Sequence, residues 1–407
     1  MTFHNRLINR EVFRNEAIHI MEKKKIKVGI LSICAVALTY MSLSPVLASI
    51  SSEFSGVNVT LVQMIITLPS FLFIACSPLS GFAMGYVNKK AIAIFSLFCY
   101  LIGGLFPFFF NSSIWELLAG SAIIGVGTGF LMPLINGFIV QYFKKEEQAT
   151  LMGLNATFTA LGALTFIFIG GQLAKFGWRF SYLTFLAVIP IIIIALTCLP
   201  KGEPQKLELP KGQSKSKSHF EMNPYIMGLF IIGFIYFVTQ NAFNTNSSEY
   251  VAETIGAGAG VASIVTMANT FGGIAGGATF KGISVKFKNQ VETFTLVVIS
   301  LGFLIAYFIP NIVAIVAGSL LVGYGYAIFN AGGSYLLAQN TRPDTNAFTV
   351  SVYLAMINVG AAISPIVVNA GAGIMGDGAA PKFLFAGIVI LLVAVYSFFL
   401  NVSRKRD

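Results

Sequence analysis

Charge is the property that this sequence has least of. Only 10% of its 407 residues are charged, whereas 56% are hydrophobic, and a soluble domain ordinarily carries about 25% charged residues. A chain of this length cannot hide so much apolar surface from water, so the composition predicts an integral membrane protein. The apolar runs are also too long for the strands of a β-barrel and exclude a soluble coiled coil.

Histidine, cysteine and buried acid are also scarce, and each shortage excludes a kind of chemistry. The three histidines lie outside the apolar runs, and the four cysteines lie inside them without metal-ligand spacing. We therefore expect no metal site and no cofactor, and interpret the cysteines as small buried hydrophobic residues. The 16 acidic residues lie in loops, tails or run ends, so the sequence lacks the clustered acids, histidines or lysines of an integral-membrane enzyme.

Twelve apolar runs are long enough to cross a bilayer, since a transmembrane helix needs about 20 residues. They cover residues 27–50, 60–86, 91–110, 113–142, 149–175, 180–199, 224–248, 258–283, 291–309, 311–339, 346–372 and 382–401. The Lys- and Pro-rich linker 200–223 separates an N-terminal six-helix half, residues 27–199, from a C-terminal six-helix half, residues 224–401.

Tails of residues 1–26 and 402–407 flank the two halves. The basic N-terminal stretch is followed by a full-length run without a small-residue cleavage site, so we do not interpret it as a secretory signal. Residues 1–20 are either an upstream extension or a short surface helix.

The basic residues predict the orientation in the membrane. On the side of the N-terminus, the tails and alternate loops hold 23 Lys and Arg residues, and the other side holds three. The positive-inside rule therefore predicts a multi-pass protein of the cell (plasma) membrane with both termini in the cytoplasm. Because these residues lie between apolar runs rather than on one face, the net charge of +10 does not predict a nucleic-acid partner.

The two halves resemble each other at a fixed offset. Residues 119–127 and 317–325 coincide at five positions at an offset of 198 residues, and the same offset pairs Gly162 with Gly360. Parallel repeats placed side by side are characteristic of one large class of secondary transporters. The sequence therefore predicts an all-α integral membrane protein with twelve transmembrane helices in two parallel six-helix repeats.

The connection between the second and third runs carries a recognisable motif. A frame of Gly-x-x-x-Asp-x-x-Gly and two basic residues is occupied here by Gly81, Gly85, Asn88, Lys89 and Lys90. With the twelve runs, the linker and the parallel halves, this frame resembles the major facilitator superfamily (MFS) over residues 27 to about 401. The resemblance implies the MFS fold, a transporter that is not an enzyme, and a cytoplasmic gate loop at Gly81, Gly85, Lys89 and Lys90. The family's Asp is replaced by Gly85, which predicts a weaker gate or a gate built otherwise.

Sequence marks of the family's proton-driven drug exporters are only partly present. Gly125 matches their fourth-helix motif, but Ser121 replaces its Arg. In the fifth helix the Gly-Pro pair of the motif is replaced by Phe166 and Ile167. The resemblance therefore supports the family but not this branch of it.

Transporters of this kind bind substrate near the membrane midplane between the halves, mainly on helices one, four, seven and ten. The candidates here are uncharged hydrogen-bonding side chains, namely Tyr40, Ser44, Asn136, Gln240, Asn241, Asn244, Asn330 and Asn358. Amides offer donors and an acceptor without the cost of burying a charge. The alternative is that these residues hydrogen-bond helices within one half. Gln240, Asn241 and Asn244 form the strongest set because three amides fall within five residues of an apolar helix.

A midplane carboxylate that could load a proton is missing from the sequence. Coupling then uses a peripheral group such as Glu116, uses an ion other than a proton, or does not occur. Glu116 also has a simpler interpretation as a solvated interface residue beside Trp115.

We therefore expect a monomeric secondary active transporter, a permease for a small organic solute that works by alternating access. The alternatives are a proton-driven multidrug or metabolite efflux antiporter and a transporter-like membrane sensor. The expected partners are the small-molecule substrate, protons or another coupling ion, and the lipid bilayer.

Overall fold

The computed structural model describes residues 23–201, 223–341 and 346–403, and all the regular structure in these ranges is helical. We number the helical segments in chain order and count a helix and its continuation after a break as one segment. They are α1 (Lys23–Glu53), α2 (Val59–Ala83), α3 (Lys89–Phe109), α4 (Ile114–Tyr142), α5 (Lys145–Leu173), α6 (Trp178–Cys198), α7 (Pro224–Ile255), α8 (Ala259–Phe287), α9 (Val291–Phe308), α10 (Ile312–Asn340), α11 (Asn346–Ala372) and α12 (Ala379–Ser403).

These segments are membrane helices by length and composition. The described residues contain 11 stretches that are long and apolar enough to cross a bilayer, and one of them, Ala259–Phe308, includes both α8 and α9. The segment α7 runs to Ile255, seven residues beyond the predicted end of the seventh run, so Glu249 and Glu253 belong to the helix.

Asparagine and serine side chains fix where several helices begin. The side-chain oxygens of Asn58, Asn88, Asn223 and Asn311 each accept a hydrogen bond from a backbone N–H in the first turn of α2, α3, α7 and α10. Such caps satisfy donors that the helix itself cannot pair. At its other end α7 stops at Gly256, whose φ of 63° is the left-handed conformation that glycine adopts without strain.

Glycines bring neighbouring helices into backbone contact. A Cβ on Gly103 of α3 would lie 2.6 Å from the carbonyl oxygen of Gly120 on α4, and a Cβ on Gly302 of α9 would lie 2.6 Å from that of Gly318 on α10. Between α8 and α10, Gly323 packs against the backbone of Asn269. Small residues allow this approach, which maximises van der Waals contact where lipid gives no hydrophobic drive for helix association.

Two ends of the bundle can be distinguished by their polar contacts. At the basic end, Lys23 and Lys27 pair with Glu147 at 3.4 Å and 3.5 Å. Partial desolvation opposes ionisation there, but the two nearby ammonium groups hold the pKa of the Glu147 carboxyl below its usual range. At the opposite end, Arg179 pairs with Glu53 at 2.7 Å.

The contact at Gly323 predicts a stability difference. In Gly323→Ala the added methyl group would collide with the backbone of Asn269, which cannot swing aside as a flexible side chain could. We expect a loss of about 1–3 kcal/mol in the free energy of unfolding, seen as a lower melting temperature in detergent. The matched control is Gly277→Ala, whose methyl group meets nothing within 4 Å. Equal melting temperatures for the two variants would contradict the proposed packing.

Candidate functional site

Segments α1 and α7 are each broken near the middle, and α6 changes from a 3₁₀ helix, Trp178–Ala187, to an α-helix at Val188. In α1 the helix over residues 23–36 gives way to a 3₁₀ helix, Thr39–Val46, that contains Pro45. In α7 one helix ends at Gln240 and the next begins at Ala242. A break releases backbone groups from the helical ladder, and in a membrane these groups need other partners. The carbonyl oxygen of Ala37 accepts a hydrogen bond from the hydroxyl of Tyr100 on α3, at 2.8 Å.

Several predicted site residues meet at these breaks. The hydroxyl of Ser44 donates to the carbonyl oxygen of Asn244 at 2.6 Å, which joins α1 to α7. The amide of Asn244 donates to Asn241 Oδ1 at 3.3 Å, and the amide of Asn241 donates to the carbonyl oxygen of Ala361 on α11 at 2.9 Å. Tyr40 and Gln240 are buried on the same two segments. The breaks therefore collect uncharged donors and acceptors between the N-terminal and C-terminal halves.

The other three predicted site residues are not joined to this group by hydrogen bonds. Asn330 on α10 donates to the carbonyl oxygen of Tyr326, and Asn358 on α11 donates to that of Leu354, each four residues earlier in its own helix. Asn136 on α4 is exposed.

A set of hydrogen bonds that the sequence reasoning missed joins the two halves towards the opposite end. Gln63 of α2 donates to Asn246 Oδ1 of α7 at 2.6 Å and accepts from the amide of Asn369 of α11 at 2.8 Å. Asn369 also donates to the hydroxyl of Thr60 at 2.9 Å. We call Thr60, Gln63, Asn246 and Asn369 the inter-half bridge. Only Asn246, which follows the predicted amides by two residues, carried a signal in the sequence.

A further hydrogen bond beside the inter-half bridge joins α1 to α7. The backbone N–H of Ala48 donates to Ser248 Oγ at 3.0 Å, four residues from the Ser44 contact on each helix. Gln63 and Asn246 are 1% and 0% exposed, so these amides depend on each other for their hydrogen bonds.

The predicted gate loop lies at the basic end, where its lysines hold helices together. Gly81 lies in the last turn of α2, and Gly85 lies in the turn that follows. Lys89 is buried and donates to the side chain of Gln141 at 2.5 Å and to the carbonyl oxygen of Gly137 at 3.3 Å, both on α4. Lys90 donates to the carbonyl oxygen of Leu196 on α6 at 2.5 Å.

The acidic side chains near the opposite end have structural partners. The carboxylate of Glu116 accepts from the backbone N–H groups of Ser112 and Ser113 at 2.6 Å and 3.0 Å, which completes a capping box at the start of α4. Glu249 pairs with Lys382 at 2.8 Å, and Glu253 accepts from the backbone N–H of Ala379 at 2.7 Å. These contacts join α7 to α12.

This arrangement of broken apolar helices around uncharged polar groups defines a helical membrane protein. The sequence profile of the Major Facilitator Superfamily matches residues 29–245 and 229–407. The chain therefore belongs to this superfamily, whose members are transporters rather than enzymes.

Similar proteins include the vacuolar membrane amino acid uptake transporter fnx2 of Schizosaccharomyces pombe, 29% identical over 36% of this chain and 24% of the relative. The bacillibactin exporter of Bacillus subtilis is 28% identical over 33% of this chain and 35% of the relative. These matches span about a quarter to a third of the relatives' lengths. The solved structure of the nucleoside transporter NupG superposes with a TM-score of 0.71 at 15% identity, over 93% of this chain and 97% of that chain, which shows the fold.

The bridge predicts how the two halves respond to a lost hydrogen bond. In Gln63→Leu, buried polar groups of Asn246 and Asn369 lose a partner, at a cost of about 1–3 kcal/mol. That cost lowers the equilibrium constant for contact between the halves at this end by roughly 5- to 150-fold. Spin labels on Ser52→Cys and Met375→Cys, in a background without the four native cysteines, should then show a larger population of long distances.

The control for this prediction is Thr60→Val, which removes one acceptor and leaves the Gln63–Asn246 contact intact. We expect a smaller shift for this variant than for Gln63→Leu. Unchanged label distances in Gln63→Leu would mean that the bridge does not hold this end closed.

Proposed function

We propose that this protein is a secondary transporter that moves a small organic solute without net charge across the cell membrane by alternating access. The observation that carries the proposal is the cluster of uncharged donors and acceptors at the breaks of α1 and α7, between the two halves. Broken helices near the midplane are where such transporters bind substrate, because released backbone groups and side chains can pair with the solute.

We propose twelve membrane crossings, α1–α12, in two parallel repeats. The 50-residue stretch Ala259–Phe308 is about twice the length that one crossing needs, and the short 3₁₀ turn Lys288–Gln290 divides it. The glycine contacts support the repeats, since Gly103–Gly120 joins α3 to α4 as Gly302–Gly318 joins α9 to α10. The 23-to-3 distribution of basic residues supports a cytoplasmic location for both termini, the linker 200–223 and the gate loop.

This orientation assigns a conformation to the structure. The inter-half bridge and the Ser44–Asn244 and Ala48–Ser248 contacts lie towards the outer face, so the outer side is closed and the site opens towards the cytoplasm. Breaking these few hydrogen bonds and forming others at the cytoplasmic ends of the helices would turn the site to the outside. The gate loop at Gly81, Gly85, Lys89 and Lys90 lies at the end that would close.

We propose that the solute binds to Tyr40, Ser44, Asn136, Gln240, Asn241, Asn244, Asn330 and Asn358. None of these side chains is charged, so a solute with a net charge would enter without a counter-charge at high cost. Similar proteins named for an amino acid and for nucleosides make neutral amino acids and nucleosides the first compounds to test. The similarity to a bacillibactin exporter keeps efflux as the second candidate direction.

Counterflow in proteoliposomes tests the proposal. Proteoliposomes are loaded with one unlabelled compound from a panel of neutral amino acids, nucleosides and lipophilic cations. They should take up the labelled form of a transported compound by exchange, and the measurement is made with and without an imposed proton gradient. Accumulation driven by the gradient would establish proton coupling and its direction, and exchange that ignores the gradient would establish uniport or another coupling ion.

A disulfide supplies the control for counterflow. In Ala48→Cys/Ser248→Cys, whose parent residues touch at 3.0 Å, oxidation should lock the outer side closed and stop exchange, and reduction should restore it. Exchange that persists in the oxidised, cross-linked protein would contradict alternating access. Absence of exchange for every compound by folded protein would favour a sensor over a transporter.

The site makes a separate prediction about substrate affinity. Gln240→Leu keeps the size of a buried side chain but removes its donors and acceptor, so KM for the exchanged compound should rise at least tenfold, about 1.4 kcal/mol. The control Asn111→Leu removes an amide that caps carbonyl groups of its own helix at the outer end. Equal KM values for the two variants would exclude Gln240 from the site.

A further inference from the structure

One carboxyl group in the described part of the chain is buried without any partner. Glu292, the second residue of α9, is 0% exposed, and neither of its carboxyl oxygens has a hydrogen-bond partner. An ionised carboxylate in such a place would be far too costly, so the group carries a proton in this conformation. Glu53, Glu147, Glu249 and Glu253 differ from it because each has a cation or a backbone N–H as a partner.

The surroundings of Glu292 are formed by helices of the same half. A Cβ on Gly333 of α10 would lie 3.2 Å from Glu292 Oε1 and 2.5 Å from the hydroxyl oxygen of Tyr353 on α11, so the two oxygens border the same small space. The Tyr353 hydroxyl also lacks a partner. On the α12 side, Thr293, Ser397, Asn401 and Tyr225 form an uncharged hydrogen-bonded chain.

Among the residues that the structure describes, Lys286 and Lys288 are the cationic residues closest to Glu292 along the chain, and both precede α9. The ammonium of Lys286 lies 5.7 Å from the ring centroid of Phe287, which stacks on Phe294 of α9, and Lys288 begins the turn before the helix. None of the described ion pairs of the chain includes Glu292. The carboxyl can therefore ionise only if α9 separates from α10 and α11 far enough to admit water or a cation.

We propose that Glu292 is a proton-binding site that couples cytoplasmic pH to the conformational equilibrium of the transporter. The protonated form packs under Gly333 and Tyr353 and stabilises the cytoplasm-open conformation. Release of the proton to cytoplasmic water leaves a carboxylate that this packing cannot hold, so the equilibrium shifts towards the other conformation. The inference rests on the proposed function for the orientation of the molecule.

The test follows the conformation rather than transport, so it needs no substrate. Spin labels on Ser52→Cys and Met375→Cys report the outer side in lipid nanodiscs between pH 6 and pH 9. In the parent protein the population of long distances should grow at least twofold as pH rises. In Glu292→Gln, which is neutral and of equal size, the short distances should persist at every pH.

Three further variants, Glu292→Asp, Glu116→Gln and Gln63→Leu, make the outcome decisive. Glu292→Asp should retain a pH response, and Glu116→Gln should behave as the parent, because the Glu116 carboxylate caps a helix at the outer end. A Glu292→Gln protein that follows the parent's pH response, or a parent without one, would overturn the proposal. If Gln63→Leu moves the labels while pH does not, only the Glu292 proposal fails. If neither moves them, the role of the inter-half bridge in closing the outer side fails as well.

Discussion

The absence of water in the membrane interior is the constraint on which this structure depends. Backbone polar groups there need partners within the protein, since an unpaired group costs several kcal/mol. The breaks of α1 and α7 create such groups, and the chain satisfies them with hydroxyls and amides rather than charges. Tyr100 pairs with the carbonyl oxygen of Ala37 and with the hydroxyl of Thr128, both at 2.8 Å, and Ser44 pairs with the carbonyl oxygen of Asn244. A solute with similar groups could take the place of one of these partners.

Two kinds of contact hold the helices together, and they differ in how easily they can be exchanged. Within each half, glycines such as Gly103 and Gly302 bring backbones into contact over a helix face, an arrangement that no water molecule can replace. Across the halves, each hydrogen bond described above includes at least one side chain, as between Gln63 and Asn246, and water can solvate these groups after separation. This difference favours movement of whole halves over unfolding of single helices, as the proposed alternating access requires.

The sequence predicted the helical segments well because a membrane crossing is dictated by composition over some twenty residues. It placed the end of α7 too early because Glu249 and Glu253 resemble loop residues, whereas the structure pairs them with Lys382 and Ala379 of α12. It could not find the inter-half bridge, since Gln63 and Asn369 are 306 residues apart and no local pattern connects them. The repeated positions 119–127 and 317–325 include Gly120 and Gly318, and both glycines lie at close helix contacts, because small size at a repeated position is itself a local signal.

The few acidic side chains differ in whether they have structural partners. The carboxylate of Glu116 accepts hydrogen bonds from two backbone N–H groups at a helix start, and that of Glu249 pairs with Lys382, so both are held in structural contacts. Glu292 has no such contact to lose. Because only a proton neutralises the Glu292 carboxyl, its ionisation requires the surrounding helices to move. In a transporter with an uncharged substrate site, coupling can then reside in the packing of α9, α10 and α11 rather than in the site itself.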